Sequence, residues 1–351
     1  MISYIIKKLL YGLLIFISVA TVVFFLFSAS FPTPDELATG QRSDEKTKQA
    51  IQREFGLDKP LWKQYLLYLN DISFVSLYAN KNYEDINVSK TRLIKLDEKS
   101  VVLKFPYLRR SFQSGKQVNT ILSEAFKGTL ILAIASILLA SLFGVALGAL
   151  AAIKKDTWID RTVLFISTLG ISLPSFFVAI ILAWLFGFVL NKYTGLNMTG
   201  NYSDIDPFKG DIYKWKNLLL PTLALGIRPL AIFSQLTRAS VLDVLPRDYI
   251  RTARAKGLSS RLIITRHLLR NSLIPVITAI SGWFASLLAG TFFVEFIFNW
   301  KGLGKVTVEA LDNSDLPVVM GSVIIVALIF VVVNILVDII YTLLDPRISL
   351  D

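Results

Sequence analysis

At 351 residues the chain is long enough for two soluble domains, but 54% hydrophobic residues against 18% charged is too apolar for ordinary globular packing. A formal charge of +11 suits nucleic acid, anionic lipid or basic cytoplasmic loops, and the placement of the cations decides among these. The absence of cysteine excludes disulfides, thiolate nucleophiles and cysteine metal sites, and a lone histidine, His267, rules out a histidine-rich metal site.

Lys7 and Lys8 precede the first uncharged block, Leu9 to Phe31. Its small residues Ser28, Ala29 and Ser30 imitate a signal-peptide cleavage site, but the 23 uncharged residues exceed the ~7–15 of a signal h-region. The block therefore reads as a span of the bilayer, which needs roughly 18 apolar residues or more. A polar segment, Pro32 to Lys127, follows. Within it Ala50, Ile51 and Phe55, then Leu61, Tyr65, Leu66 and Leu69, recur at helical spacing, with a break near Gly56 and Pro60. Between Thr91 and Pro106 the pattern changes to alternation, as in Arg92-Leu-Ile-Lys-Leu96 and Val101-Val-Leu-Lys-Phe105, which predicts a β-hairpin. This outer segment serves either as a cap over the helix ends or as a docking site for a partner.

Further blocks run from Gly128 to Ile153, Thr162 to Asn191, Asn271 to Val294 and Val318 to Val337. Gly144 and Gly148 in the second block have the G-x-x-x-G spacing of close helix contact, a spacing that also arises by chance. A sixth block, Asn217 to Thr237, is interrupted by Arg228 and carries Pro221 and Pro229. Charge placement argues for it. Lys154, Lys155 and Arg161 mark one cytoplasmic turn, and the segment from Arg238 to Arg270 holds eight Lys or Arg against only Asp243 and Asp248. An even number of crossings must separate those two segments, so the proline-bearing block is a span. Six spans result, with both termini cytoplasmic; the long segment 32–127 then lies outside, where its lysines are no obstacle, because long loops translocate regardless of charge.

Arg228, about 11 residues into its span, is costly there unless it faces water or a partner. It either lines a translocation path, pairs with an acid such as Glu295, or snorkels from a span broken at Pro229. Asn334 and Asp338 share one face of the last span and point into the bundle, toward a structural hydrogen bond or a substrate. Glu295 to Gly304 reads as a gate, a docking segment or a re-entrant turn. Arg228, Glu295, Asn334 and Asp338 are thus the candidate path residues. His267 reads as structural.

No phosphate-binding loop, H-E-x-x-H helix or G-x-S-x-G elbow is present in the sequence, so no catalytic residues, metal ligands or cofactors are expected, and any ATP-driven role requires a separate ATPase chain. The most informative stretch is Asp248-Tyr-Ile-Arg-Thr-Ala-Arg-Ala-Lys-Gly-Leu258, continuing through Arg266-His-Leu-Leu-Arg-Asn-Ser-Leu-Ile-Pro275. Helix formers run up to Gly257, a residue that ends helices in the left-handed conformation, and Ser259 or Ser260 is placed to cap the next helix. The product is a short helix with small residues Thr252, Ala253 and Ala255 for close approach and Arg251, Arg254 and Lys256 for acidic partners.

Tyr249 to Pro275 resembles the cytoplasmic loop of permease subunits in the oligopeptide, dipeptide and nickel branch of bacterial ABC importers, whose pattern is close to Y-[VI]-R-T-A-R-A-K-G-L followed by R-H-x-L-R-N-x-L-[IL]-P. Leu57 to Tyr65, Trp158 to Arg161, Ser172 to Phe176, Leu236 to Ser240, Val294 to Gly304 and Leu344 to Arg347 resemble the same branch in order. Residues from roughly Ser76 to Leu103 look like an insertion; Lys301 stands where the branch often has proline, and Phe31-Pro-Thr-Pro34 replaces its proline-glycine-aspartate turn. The resemblance implies an all-α polytopic membrane protein of the type I importer permease fold: a first span over 1–31, an extracytoplasmic segment over 32–127 with the hairpin at 91–106, and a five-helix core over 128–351 with a coupling loop at 238–270. It makes Tyr249, Arg251, Thr252, Ala253, Arg254, Ala255, Lys256, Gly257 and Leu258 the ATPase-coupling helix. It also implies the chain's partners: a homologous second permease, two cytoplasmic ABC ATPases, an extracytoplasmic substrate-binding protein and membrane lipid, with no nucleic acid. The setting is the cytoplasmic membrane of a prokaryote and the cargo is di- or oligopeptides. An ATP-independent secondary transporter or channel is the competing class; it predicts intramembrane ion-coupling carboxylates, for which the spans offer Asp338 at most.

Overall fold

The computed structural model describes residues 2–30, 59–79, 90–95, 99–206 and 210–344. Its helices are α1 (Ile2–Ser30), α2 (Leu61–Ile72), α3 (Val118–Ile153), α4 (Trp158–Ser172), α5 (Ser175–Leu182), α6 (Asn191–Thr194), α7 (Leu219–Val244), α8 (Asp248–Ala255), α9 (Ser260–Leu262), α10 (Leu269–Ser272), α11 (Ile274–Gly290), α12 (Phe292–Ile297), α13 (Leu303–Asp312) and α14 (Leu316–Leu344). π-Helical turns, Ala183–Val189 and Ile263–Leu268, extend α5 and join α9 to α10. The strands are β1 (Val75–Ala79), β2 (Lys90–Lys95), β3 (Lys99–Lys104), β4 (Ser203–Asp206) and β5 (Gly210–Tyr213).

Among the described residues four helical segments are long and apolar enough to cross a bilayer without a break: Ile6–Phe27, Val118–Ile153, Trp215–Val244 and Leu316–Ile339. Two bent pairs, Trp158–Ser172 with Ser175–Val189 and Ser260–Ser272 with Ile274–Ala289, bring the number to six when each pair is one span. The third expected span is therefore not straight: it turns by 106° between its halves. Pro174 explains the break, because a proline disfavours the helical region for the residue before it, and Leu173 is extended at φ −84° and ψ 130°. The proline-bearing span behaves in the opposite way. Pro221 falls in the first turn, where its missing N–H costs nothing, and α7 continues through Pro229 to Val244.

The chain divides into two compact units, one formed by Ile2–Ala125 with Val306–Val331 and the other by Phe126–Lys305 with the last helix from Val332 onward. In the former, α2 lies on α1: Phe24 sits 5.3 Å from the ring of Tyr65 and 5.4 Å from that of Tyr68, and the Thr21 and Tyr65 hydroxyls share a 2.7 Å hydrogen bond. The helical pattern predicted before Pro60, residues 45–58, lies outside the described residues. β2 and β3 pair antiparallel, their connecting residues 96–98 also lying outside the described set, and β1 joins on the other edge of β3 to give the order β1-β3-β2. Alternation sorts β3 into two faces, Ser100, Val102 and Lys104 buried and Leu103 exposed. Lys104 reaches the backbone carbonyl of Asp71, whose carboxylate pairs with Arg109 at 3.1 Å. Burial pulls the Lys104 ammonium down to about 8, outweighing the attraction of Asp71. Asp315 closes this unit, accepting from the Ser111 hydroxyl at 2.5 Å and the Phe112 N–H at 3.0 Å.

In the other unit α7 is the hub, packed by α4, α5, α10, α11 and α12. α3 also rests on it, through Gly144 and Gly148. A Cβ at Gly148 would stand 2.3 Å from the Ser234 carbonyl oxygen, so here the glycine spacing is a real backbone contact rather than a coincidence.

Candidate functional site

α8 is amphipathic over only two turns, and its sides are unequal. Ile250 and Ala253 are buried against Ala152, Val241, Ile263 and Leu268, with Leu258 packed beside them. Arg247, Asp248, Tyr249, Arg251, Thr252, Arg254, Ala255 and Lys256 are exposed. Ala253, one of the small residues expected to permit close approach, is 6% exposed and holds the helix to its own chain, because i and i+3 share a face and Ile250 sets which face turns inward. The exposed side carries Arg251, Arg254 and Lys256 beside Asp248, whose carboxylate lies 3.8 Å from Arg251.

Local chemistry fixes the helix ends. Gly257 has φ +74°, its N–H donates to the Arg254 carbonyl at 3.0 Å, and the Leu258 N–H donates to Ala253 at 3.3 Å. That pair of bonds is the Schellman closure, in which the residue after the cap must be left-handed. Ser259 then caps the following helix, accepting from the Leu262 N–H at 3.4 Å. The chain leaves α8 in one defined direction, toward the second bent span. Tyr249 is tied to it as well, its hydroxyl accepting from Asn271 at 3.2 Å.

A second contact was not foreseen from the sequence. Asp160 of the Trp158–Arg161 turn and Arg238 of the Leu236–Ser240 segment form a two-pronged ion pair, Nε to Oδ1 at 2.6 Å and the second guanidinium nitrogen to Oδ2 at 2.8 Å. Asp160 also accepts from the Asp156 N–H at 3.0 Å and is 2% exposed. Both residues lie in segments the sequence had singled out separately. Their pairing was hidden because they are 78 positions apart. It fixes α4 to the last third of α7, ahead of α8.

The candidate path residues differ in their surroundings. Glu295 is fully buried: Oε1 accepts from the Thr129 and Thr291 hydroxyls, both at 2.7 Å, and Oε2 from the backbone N–H of Gly304 at 2.7 Å and of Lys305 at 3.3 Å. Both oxygens are committed to the N-terminus of α13 and to two threonines, which gives Glu295 an anchoring place in the fold. Trp300, also buried, donates to the Gly128 carbonyl at 2.9 Å and completes the same knot. Lys301 uses its N–H on the Asn201 side chain at 3.3 Å, a bond that proline cannot make. Arg228 is exposed, with its guanidinium 5.8 Å from the centre of the Trp283 ring, and no ion pair joins it to Glu295 among the described residues. Asn334 and Asp338 are half-buried on α14, and each has an interaction partner. Among the described residues no cluster of His, Cys, Asp or Glu could hold a metal ion.

Residues 144–350 match the model of the binding-protein-dependent transport system inner membrane component, and residues 1–133 match that of the N-terminal part of the same transport components. The chain is 32% identical to the glutathione transport system permease protein GsiC of Escherichia coli (strain K12) over 349 residues, 99% of each chain. It is 30% identical to the dipeptide transport system permease protein DppB of Alkalihalophilus pseudofirmus, over 99% of this chain and all of that one. Among solved structures, a chain of the MetNI methionine ABC transporter in inward-facing conformations superposes with a TM-score of 0.51 at 16% identity, covering 65% of this chain and 97% of that one. That likeness is one of fold.

Proposed function

The chain belongs to the binding-protein-dependent transport inner membrane component family, and on that premise we propose that it is one of two pathway-forming permease subunits of an ATP-driven importer of short peptides. The relatives named for glutathione and for dipeptides support the cargo class. In this reading an extracytoplasmic binding protein delivers the peptide to a pathway shared with a homologous second permease, and two cytoplasmic ATPases drive it. Both termini are placed in the cytoplasm in this reading, which the distribution of lysine and arginine supports. ATP is hydrolysed in the partner subunits.

The observation that carries the coupling role is the two-sided build of α8. A helix held by Ile250 and Ala253 to the ends of α3 and α7, and presenting Tyr249, Arg251 and Thr252 outward, can be pushed by a partner without peeling off its own chain. Displacement of α8 is then passed to α7 by packing, and to α4 through the Asp160–Arg238 pair, as switching between inward and outward openings demands. Affinity purification of the chain from its native membrane tests this: two ATPase subunits should copurify, and uptake without ATP would sink the proposal.

Arg228 is proposed to line the path. An exposed arginine partway along a span, with an aromatic face as its only described partner, is held extended but not neutralised. Arg228→Gln should weaken uptake of peptides with a free carboxylate roughly tenfold, in line with the loss of one charge-assisted hydrogen bond, while C-terminally amidated peptides lose little. Equal transport of both by the variant would remove Arg228 from the path.

A further inference from the structure

Beneath α8 lies a cleft of about 830 Å³, between the ends of α3 and α7 and the π-helical turn Ile263–Leu268. Leu242, Leu245, Ile263 and Leu268 line it, and Lys155 and Arg254 stand among its lining residues as exposed cations. Neither cation forms a salt bridge among the described residues; Asp160, the acid nearest Lys155 in sequence beyond Asp156, is occupied by Arg238 and the Asp156 N–H. A cleft with a mixed apolar and polar lining and two exposed cations outside any salt bridge among the described residues matches an amphiphile with an anionic head.

The level of the cleft identifies that amphiphile. Trp158 is three residues from Lys155 and 75% exposed, and exposed tryptophan beside lysine is how membrane proteins mark the headgroup layer. Ile153, another lining residue, is 42% exposed at the last turn of the α3 span. We propose that this cleft binds an anionic phospholipid of the cytoplasmic leaflet, the phosphate between Lys155 and Arg254 and the upper acyl carbons against Leu242, Leu245 and Leu268. Basic pockets between span ends on the cytoplasmic side are suited to such headgroups. The inference rests on the proposed orientation of the chain. Its consequence is that the lipid forms part of the floor under α8, so that membrane charge bears on coupling.

The test uses the full chain with whatever subunits copurify, delipidated in detergent and titrated with phosphatidylglycerol or phosphatidylcholine, with bound lipid counted by native mass spectrometry. Phosphatidylglycerol should bind and phosphatidylcholine should not compete. Lys155→Gln with Arg254→Gln should weaken phosphatidylglycerol binding roughly twenty-five-fold, about fivefold for each cation. Lys155→Gln alone, outside α8, should show its own fivefold share. Equal retention of both lipids, or of phosphatidylglycerol by wild type and double variant, overturns the proposal. So does loss of the lipid whenever an ATPase subunit is bound, which would assign the cleft to that subunit. Failure of ATPase subunits to copurify would leave the lipid count unaffected, so the two readings fail separately.

Discussion

Gly257→Pro should abolish uptake while the chain still inserts and accumulates in the membrane, with ATP hydrolysis by the assembled importer persisting uncoupled. Proline holds φ near −65°, whereas this position stands at φ +74°, and it removes the N–H that bonds the Arg254 carbonyl at 3.0 Å. Both bonds of the Schellman closure are lost, since the Leu258 N–H reaches Ala253 only if residue 257 is left-handed. α8 then loses the direction in which it hands the chain to Ser259. Nothing lies within 4 Å of a Cβ built at Gly257, so the damage is conformational and not steric. Gly257→Ala isolates that term: the left-handed penalty is about 1–2 kcal/mol, and uptake should fall only partway. Uptake in cells, paired with ATPase turnover of the purified assembly, reads both variants. Normal uptake by Gly257→Pro would mean that α8 does not transmit the stroke.

What sequence conveyed best was local. The spans were legible because hydrocarbon demands long uncharged runs, and the position of Gly257 was legible because one residue type dominates left-handed turns. The bend at Leu173 was missed for an instructive reason. Hydropathy averages over a window and does not register that Pro174 divides an apolar run into two helices set at 106°. Which side of α8 faces inward was equally hidden, since Ile250 and Ala253 acquire a partner only when α3, α7 and the π-helical turn arrive. Asp160 and Arg238 show the same limit at its plainest. They stand in segments far apart in the chain, and only the fold turned them into one part-buried pair. Glu295 shows the limit from another side. A carboxylate at the end of a span suggests water or substrate until its hydrogen bonds are counted.

That count makes Glu295 the other position where substitution should matter most. Glu295→Ala leaves the Gly304 and Lys305 N–H groups and the Thr129 and Thr291 hydroxyls without this acceptor, in a site where Glu295 and Thr129 are 0% exposed and Thr291 is 2% exposed. Buried donors left unpaired cost about 1–3 kcal/mol each, so a loss of roughly 4 kcal/mol or more is expected, enough to deplete folded chain from the membrane. Glu295→Gln separates geometry from charge. Its amide oxygen can still take the Gly304 N–H, while its NH2 group turns to the hydroxyls of Thr129 and Thr291, which accept as readily as they donate. What it loses is the negative charge at the N-terminus of α13, a matter of about 1 kcal/mol. The expected order of thermal stability in detergent is therefore wild type, then Gln, then Ala by a wide margin. A path-lining carboxylate would behave otherwise, with Ala as stable as wild type and uptake altered. Stability that tracks the number of surviving hydrogen bonds identifies the knot of Thr129, Thr291, Glu295 and Trp300 as the element that holds the start of α13 in place.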